Sequence, residues 1–227
     1  MKISIVIPTY NEEKTIEKTI KEVMKYCNKN FDDYEIIVVD DSKDSSDKIL
    51  SKYKKVVFLR NKKRMGKGYS IKRGILKATF PTVVFMDSDL STPLKEIKKL
   101  LKFSENFDVV IGSRRMKDSN VEIKQTIKRR FAGFCFSLLV KILVVRGFKD
   151  TQCGFKLFKT DVAKKIVKLQ KINGFTFDVE LLFIAKKLGY KIKEVPVIWY
   201  NNNDSKVNFI DDSIKMFIDL IKIRLIH

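Results

Sequence analysis

Thr82-Val83-Val84-Phe85-Met86-Asp87-Ser88-Asp89-Leu90-Ser91 runs from an apolar, β-branched stretch straight into two carboxylates that flank one residue. A short apolar run ending this way predicts a buried strand whose carboxyl end reaches an open sheet edge. In open α/β sheets that edge is where ligands bind. Side chains alternate along extended backbone, so Asp87 and Asp89 can project to the same side. Two hard oxygen donors there suit Mg²⁺ or Mn²⁺, which bind through one or two carboxylates plus substrate phosphates. A surface turn with two solvated Asp fits the same residues, and the surrounding chain has to decide between them.

Upstream, Ile3 to Ile7 reads as a first strand, closed by Pro8-Thr9-Tyr10-Asn11-Glu12-Glu13. Ile16, Ile20, Val23 and Met24 then recur at helical spacing, with Thr9 or Asn11 as the expected cap. No Gly-rich phosphate loop follows the strand, which disfavours a dinucleotide or P-loop fold. Tyr34 to Val39 is a second strand, again ending in acids, Asp40-Asp41-Ser42, and Ser45-Ser46-Asp47 starts a helix running toward Tyr53. Val56 to Leu59 is a third strand. Behind it lies a cationic loop, Arg60 to Gly68, whose Gly66-Lys67-Gly68 opens a helix from about Tyr69 to Ala78. Amides at such a helix start, together with Lys67, can hold diphosphate oxygens, although a solvated turn reads equally well.

Downstream of the acidic pair, Pro93 starts a helix through Phe103, and Phe107 to Ile111 is a fifth strand. It ends in Gly112-Ser113-Arg114-Arg115, placing cations on the edge that carries the carboxylates. Alternating strands and helices predict one mainly parallel sheet with helices on both faces.

The character changes from Ile123. Lys124, Lys128, Arg129 and Arg130 lead into the apolar run Phe131 to Val145, which is too short and too charged at Lys141 to span a bilayer. This segment, about 123–146, reads as an amphipathic helix lying in the headgroup region or as a long core helix. A short strand is expected near Phe155 to Phe158, then a helix capped by Thr160 or Asp161. Another helix opens at Gly174 to Glu180 and ends at Gly189, and a strand from Lys191 to Trp199 is interrupted by Pro196 and therefore sits at an edge. The last helix, 212–226, carries Ile214, Phe217, Ile218, Ile221 and Leu225 on one face, fit for a membrane surface or for closing the core. With no linker, repeat or low-complexity tract, residues 1–227 read as a single domain.

The chain carries 47 Lys and Arg against 27 Asp and Glu, a net charge of +20. That excess calls for an anionic partner (nucleic acid, phosphorylated substrate or anionic membrane surface) or reflects a Lys-rich proteome. No helix-turn-helix, finger or RNP pattern is present, and the acidic strand ends would repel a phosphate backbone, so no nucleic acid is expected. Three scattered cysteines without CxxC argue against a zinc site and a disulfide framework, and they fit a reducing compartment.

Pro8-Thr9-Tyr10-Asn11-Glu12, Asp40-Asp41-Ser42, Asp87-Ser88-Asp89 and Gly112-Ser113-Arg114, in that order, resemble the family-2 glycosyltransferases with the GT-A fold. Asp150 to Phe158, Phe177-Asp178-Val179-Glu180-Leu181, Glu194-Val195-Pro196-Val197 and Ser205-Lys206-Val207 narrow the resemblance to the dolichyl-phosphate glucose or mannose synthases, leaning toward the glucose type. The match runs from residue 1 to about 210. Ser88 stands where Ala is common, and Ser91 where some mannose synthases carry a metal-binding Gln.

The resemblance implies a GT-A nucleotide-sugar-binding fold and a hexose transfer, UDP-glucose favoured over GDP-mannose, to a polyprenyl (dolichyl) phosphate. It places Pro8, Tyr10, Glu12 and Asp40 at the base and ribose, with Lys67 as a further diphosphate contact. Asp87 falls between ribose and metal, and Asp89 is the main ligand of Mg²⁺ or Mn²⁺. Arg114, with Arg129, Arg130 and Lys206, would clamp the acceptor phosphate, while Asp178 and Glu180 fall where other branches of the family place a catalytic base, or order Arg114 or the basic helix, or are helix-start acids. The implied setting is peripheral, on the cytoplasmic face of a membrane, and another acceptor for the same donor chemistry stays open.

Overall fold

The computed structural model describes residues 1–122, 127–200 and 209–227, with the backbone alone for 122, 127–132, 134–135 and 209–213. The first half alternates β1 (Lys2–Thr9), α1 (Ile16–Asn30), β2 (Asp33–Asp40), α2 (Ser46–Leu50), β3 (Val56–Arg60), α3 (Lys67–Lys77), β4 (Thr82–Met86), α4 (Glu96–Leu101) and β5 (Val109–Ser113). Then follow β6 (Asn120–Glu122), α5 (Ile127–Leu143), β7 (Phe155–Lys159), α6 (Thr160–Leu169), α7 (Phe177–Lys187), β8 (Ile192–Pro196), β9 (Ile198–Tyr200) and α8 (Phe209–Ile226).

The central sheet has 7 strands in the order β3-β2-β1-β4-β7-β5-β8. All run parallel except β7, which pairs antiparallel with both β4 and β5. The apolar runs of β1, β2 and β4 exist because both faces of this sheet are covered. Alternation divides them: Ile3, Ile5 and Ile7 join Ile36, Val38 and Val84 under α1, α2 and α4. Val6, Ile37, Val83 and Phe85 face the other way, with α3, α6 and α7 over them. The strand residues of both layers are at or below 4 % exposure.

Several local expectations change. The first helix is preceded by Thr15 as its cap residue, not Thr9 or Asn11, because Asn11 sits at φ 53 and turns the chain before the helix begins. Pro93 initiates a turn, its carbonyl accepting from Glu96 N–H, and α4 proper starts at Glu96. The cap residue of α6 is Lys159. Pro196 ends β8, which lies on the outer edge of the sheet as a strand proline should. Beyond it β9 pairs with β6, a strand too short for its periodicity to register.

A third apolar cluster joins α5, α7 and α8 through Val140, Val145, Val179, Leu220 and Ile223. It gives the last helix a face that closes the core. Leu220 and Ile223 seal this cluster, while Ile214, Phe217, Ile218, Ile221 and Leu225 face outward at 42–79 % exposure. On α5, Val140 is buried whereas Leu138 and Ile142 are exposed. Among the described residues no helix is long and apolar enough to cross a membrane.

Candidate active site

The carboxyl ends of β1, β2, β4 and β5 open into one cleft of about 1890 Å³. Pro8, Tyr10, Glu12, Lys67, Asp87, Asp89 and Arg114, each singled out in the sequence, all line it. Its far wall is formed by the loop 171–175 and by Lys215, Met216, Asp219 and Lys222 of α8.

β4 delivers the acidic pair. Thr19 Oγ1 donates to the Ser88 carbonyl at 2.7 Å, and Ser91 N–H donates to Asp89 Oδ1 at 2.9 Å, so the turn after the strand is held at both ends. Asp89 opens into the cleft, yet partial burial of its carboxyl, with the Asp87 charge beside it, pushes its pKa above the ordinary value. Asp87 meets Lys67 Nζ at 2.6 Å. Burial works against the charge on Lys67, and Asp87 and Asp178 outweigh it, so its pKa lies above normal.

Lys67 is aimed by its neighbours. A Cβ on Gly66 would lie 2.4 Å from the Asn173 carbonyl oxygen, and one on Gly68 would lie 2.6 Å from Phe177 Cβ. Gly66 also holds φ +102, where an L side chain is strained. These two glycines let the start of α3 press against residues 172–177, leaving Lys67 directed at the carboxylates. Asp41 fixes the approach by accepting from Met65 N–H, Gly66 N–H and Asn61 Nδ2 at 2.7–2.8 Å.

Arg114 leaves the end of β5 and forms a fork with Asp150. Its Nε donates to Oδ2 at 2.7 Å, its Nη2 to Oδ1 at 2.9 Å, and its backbone N–H to Oδ2 at 3.0 Å. Asp150 is buried, and Arg114 overrides the effect of that burial, holding its carboxyl well below the usual carboxylate range. Burial opposes the Arg114 charge in turn, and Asp150 more than offsets it. The guanidinium also lies 5.4 Å from the Trp199 ring. Among the described residues Nη1 has no partner, and the side chain keeps 24 % exposure in the cleft.

Other expected site residues go elsewhere. Asp40 is fully buried behind the cleft, where it accepts from Thr9 Oγ1, Ser42 Oγ and Arg60 Nε. It does not line the cleft, which sets it apart from its expected place at the base. Asp178 takes an ion pair from the buried Lys156, and Glu180 accepts from Lys171 N–H, Ile172 N–H and His227 Nε2. Neither lines the cleft. Asp178 therefore does not order Arg114, and Glu180 holds the wall loop. Arg129 and Arg130 fall where α5 is described by backbone alone, and Lys206 lies outside the described residues.

The sequence reading passed over Asp41, Asp44 and Arg64, which line the cleft. Arg64 sits 4.6 Å over the Tyr10 ring, and Asp44 accepts from the Glu12 and Glu13 amides. The Asp41 signal was its place one residue past a strand end; for Arg64 it was only the charge of its loop.

The acidic pair fits a hard divalent cation. Two carboxylates crowd each other and a lysine partly compensates, while no group of three or more His, Cys, Asp or Glu suited to a metal occurs among the described residues. Such a pair holds a cation together with water and substrate oxygens rather than in an all-protein cage.

The family model described as Glycosyl transferase family 2 matches residues 4–167. A dolichyl-phosphate beta-glucosyltransferase of Dictyostelium discoideum is 34 % identical over 98 % of this chain and 73 % of its own length. One from Trichomonas vaginalis is 38 % identical over 99 % and 73 %, and the Homo sapiens protein of that name 33 % over 98 % and 75 %. Among solved structures, mannosyl-3-phosphoglycerate synthase from Rubrobacter xylanophilus superposes with TM-score 0.71 at 16 % identity, covering 98 % of this chain and 72 % of that one. Glucosyl-3-phosphoglycerate synthase from Mycobacterium tuberculosis, solved with Mn²⁺, uridine-diphosphate-glucose and phosphoglyceric acid, gives 0.70 at 20 % identity, covering 98 % and 79 %. These likenesses establish the GT-A architecture.

Proposed function

The chain belongs to glycosyl transferase family 2, and from that membership we propose that it moves glucose from UDP-glucose to a polyprenyl phosphate of the dolichyl type at a membrane surface. The observation that carries this reading is the convergence of Lys67, Asp87, Asp89 and Arg114 on one cleft, in a chain whose relatives, matched over 73 % of their own length, bear the dolichyl-phosphate beta-glucosyltransferase name. Residues 1–227 would act as one domain.

The nucleoside end of the donor lies against Pro8, Tyr10 and Glu12, with Arg64 over the ring of Tyr10. Asp87 and Asp89 hold Mg²⁺ or Mn²⁺, which when bound offsets the charge of the departing diphosphate as a Lewis acid. Lys67 adds a positive charge on the diphosphate side, and Gly66 and Gly68 keep it pointed there.

The acceptor is a phosphate monoester with a second pKa of roughly 6, so it is largely dianionic near neutral pH. One of its oxygens forms the new bond to the anomeric carbon as the bond from that carbon to the diphosphate oxygen breaks; the electron pair leaves with UDP. No protein base is needed, which suits a cleft that His227, the chain's one histidine, does not line. Arg114 supplies Nη1 to the acceptor phosphate while Asp150 fixes its orientation, and Arg129, Arg130 and Lys206 complete the proposed clamp. Attack opposite the leaving group inverts the anomeric centre, giving a β-linked product from an α-linked donor.

The outward apolar faces of α5 and α8 support a peripheral position on the membrane, with the far wall of the cleft contributed by α8 itself. Free buried Cys27 and Cys153 suit the reducing, cytoplasmic side. The test is an assay of the purified chain with UDP-glucose or GDP-mannose and a short polyprenyl phosphate, with Mn²⁺, Mg²⁺ or chelator. A lipid-linked hexose forming with UDP-glucose and lost on chelation is expected. Absence of lipid-linked product with either donor refutes the proposal.

A further inference from the structure

Away from the cleft, a second hollow of about 380 Å³ opens where α5, α7 and α8 end. Five cations line it: Lys141 in the last turn of α5, Arg146 just beyond it, Lys186 and Lys187 at the end of α7, and Arg224 on α8. No aspartate or glutamate lines it. Lys186 Nζ is spent on the Arg146 carbonyl at 3.1 Å. Among the described residues no carboxylate pairs with the other four, although elsewhere the surface lysines Lys52, Lys55 and Lys99 each find an acid. A cation in the last turn offsets the helix dipole, but Arg146 lies past its helix.

The rim has a different chemistry. Ile142 lines the hollow at 59 % exposure, Leu225 follows Arg224 at 79 %, and Leu188 follows Lys187 at 46 %. Ile142 continues the face of Leu138 one turn earlier, and Leu225 continues that of Ile221 and Phe217. The hollow is thus basic inside and meets the outward apolar face of α5 at Ile142, with the exposed Leu188 and Leu225 next in sequence to two of its cations. Lys and Arg beside exposed apolar residues are suited to the boundary between headgroups and acyl chains.

We propose that this hollow binds the headgroup phosphate of an anionic membrane phospholipid, so that α5 and α8 are seated on the bilayer at a second point whose lining residues are not those of the catalytic cleft. The inference rests on the reading of the protein as one that works at a membrane surface. Charge complementarity selects the occupant: a small open hollow with unpaired cations takes a phosphodiester, and its apolar rim takes the first methylenes of that lipid's chains. A nucleic acid backbone would gain nothing from the exposed Ile142, Leu188 and Leu225.

The test compares the full chain with K141Q/R146Q/K187Q/R224Q and with a control losing the same charge elsewhere, K25Q/K29Q/K54Q/K98Q. Each is co-sedimented with phosphatidylcholine vesicles with and without phosphatidylglycerol, and each is assayed for transfer to a short water-soluble polyprenyl phosphate without vesicles. The expected result is that wild type binds the anionic vesicles and the control stays close to it. The hollow variant should fall at least about tenfold below the control, while soluble transfer is unchanged. Equal losses in both variants, wild-type binding indifferent to phosphatidylglycerol, or saturable binding of inorganic phosphate with vesicle binding unaffected by the substitutions would each overturn it. Should wild type fail to transfer at all, the proposed function falls, whereas the sedimentation comparison still decides the hollow.

Discussion

A Cβ placed on Gly154 would stand 2.2 Å from Asp87 Oδ2. The residue just before β7 thus determines where a carboxylate at the end of β4 can sit, although the two are far apart in sequence. Gly154 has ordinary backbone angles, so Gly154→Ala strains no φ, and what must yield is the end of a flexible side chain. The variant is expected to unfold within about 1 kcal/mol of wild type. Its kcat/KM should drop by about 100-fold or more, close to 3 kcal/mol of transition-state stabilisation. Urea titration beside steady-state kinetics checks it; a matched loss of both would mean that Gly154 serves folding only.

Asp89→Asn separates metal binding from chemistry. The Asp89 carboxyl has its pKa raised by burial and by Asp87. An acid whose folded pKa lies above its unfolded value costs stability once pH exceeds the unfolded pKa, about 3.9. Removing the charge should therefore leave the thermal midpoint in chelator no lower than that of wild type at neutral pH. Mn²⁺ should raise the midpoint of wild type and not of Asp89→Asn, and transfer should vanish in the variant. An equal Mn²⁺ shift in both proteins would remove Asp89 from the metal site.

Asp150→Asn tests the support of Arg114. Asp150 is buried, and Arg114 keeps its pKa far below the ordinary range. A depressed carboxylate contributes stability that is present above its unfolded pKa and is lost as pH falls through the folded value. The variant should be destabilised by about 3–5 kcal/mol at pH 7, the usual cost of stranding one buried partner of an ion pair. That deficit should shrink below about pH 4, where the unfolded wild-type chain begins to take up the proton while the folded carboxyl does not. Urea unfolding at pH 7, 5, 4 and 3 measures both; a pH-independent difference would remove the ion pair as its cause.

Much of this arrangement was legible beforehand because short apolar runs ending in polar residues behave alike in a parallel sheet. β1, β2 and β4 and the edge shared by Lys67, Asp87, Asp89 and Arg114 followed from that rule. What escaped depended on pairing across distance. β7 slips between β4 and β5, and nothing in Phe155-Lys156-Leu157-Phe158 signals that Lys156 will be buried against Asp178. Asp40 was expected at the base and ribose only because the family resemblance implies it. Register puts it in a row between Thr9 of β1 and Arg60 of β3, which bond to its oxygens. Periodicity marked the apolar face of α8, and only packing could reveal that Leu220 and Ile223, off that face, are the residues turned inward.

For Asp178 a supporting role and a chemical one lead to different outcomes. It is buried, with its pKa raised by that burial against the pull of Lys156 and Lys67. Lys156 Nζ bridges Asp178 and the Cys153 carbonyl, the residue next to Gly154. The pair therefore holds the turn that confines Asp87. If Asp178 were a base, Lys156→Met would leave its chemistry accessible and Asp178→Leu would abolish transfer in every background. If it is a support, Lys156→Met alone should cost about 3–5 kcal/mol by stranding a buried carboxylate. Lys156→Met/Asp178→Leu should then be more stable than either single variant and should recover transfer relative to Asp178→Leu. A double-mutant cycle in stability and in kcat decides it: coupling of both quantities assigns a structural role, and a double variant as dead as Asp178→Leu assigns a chemical one.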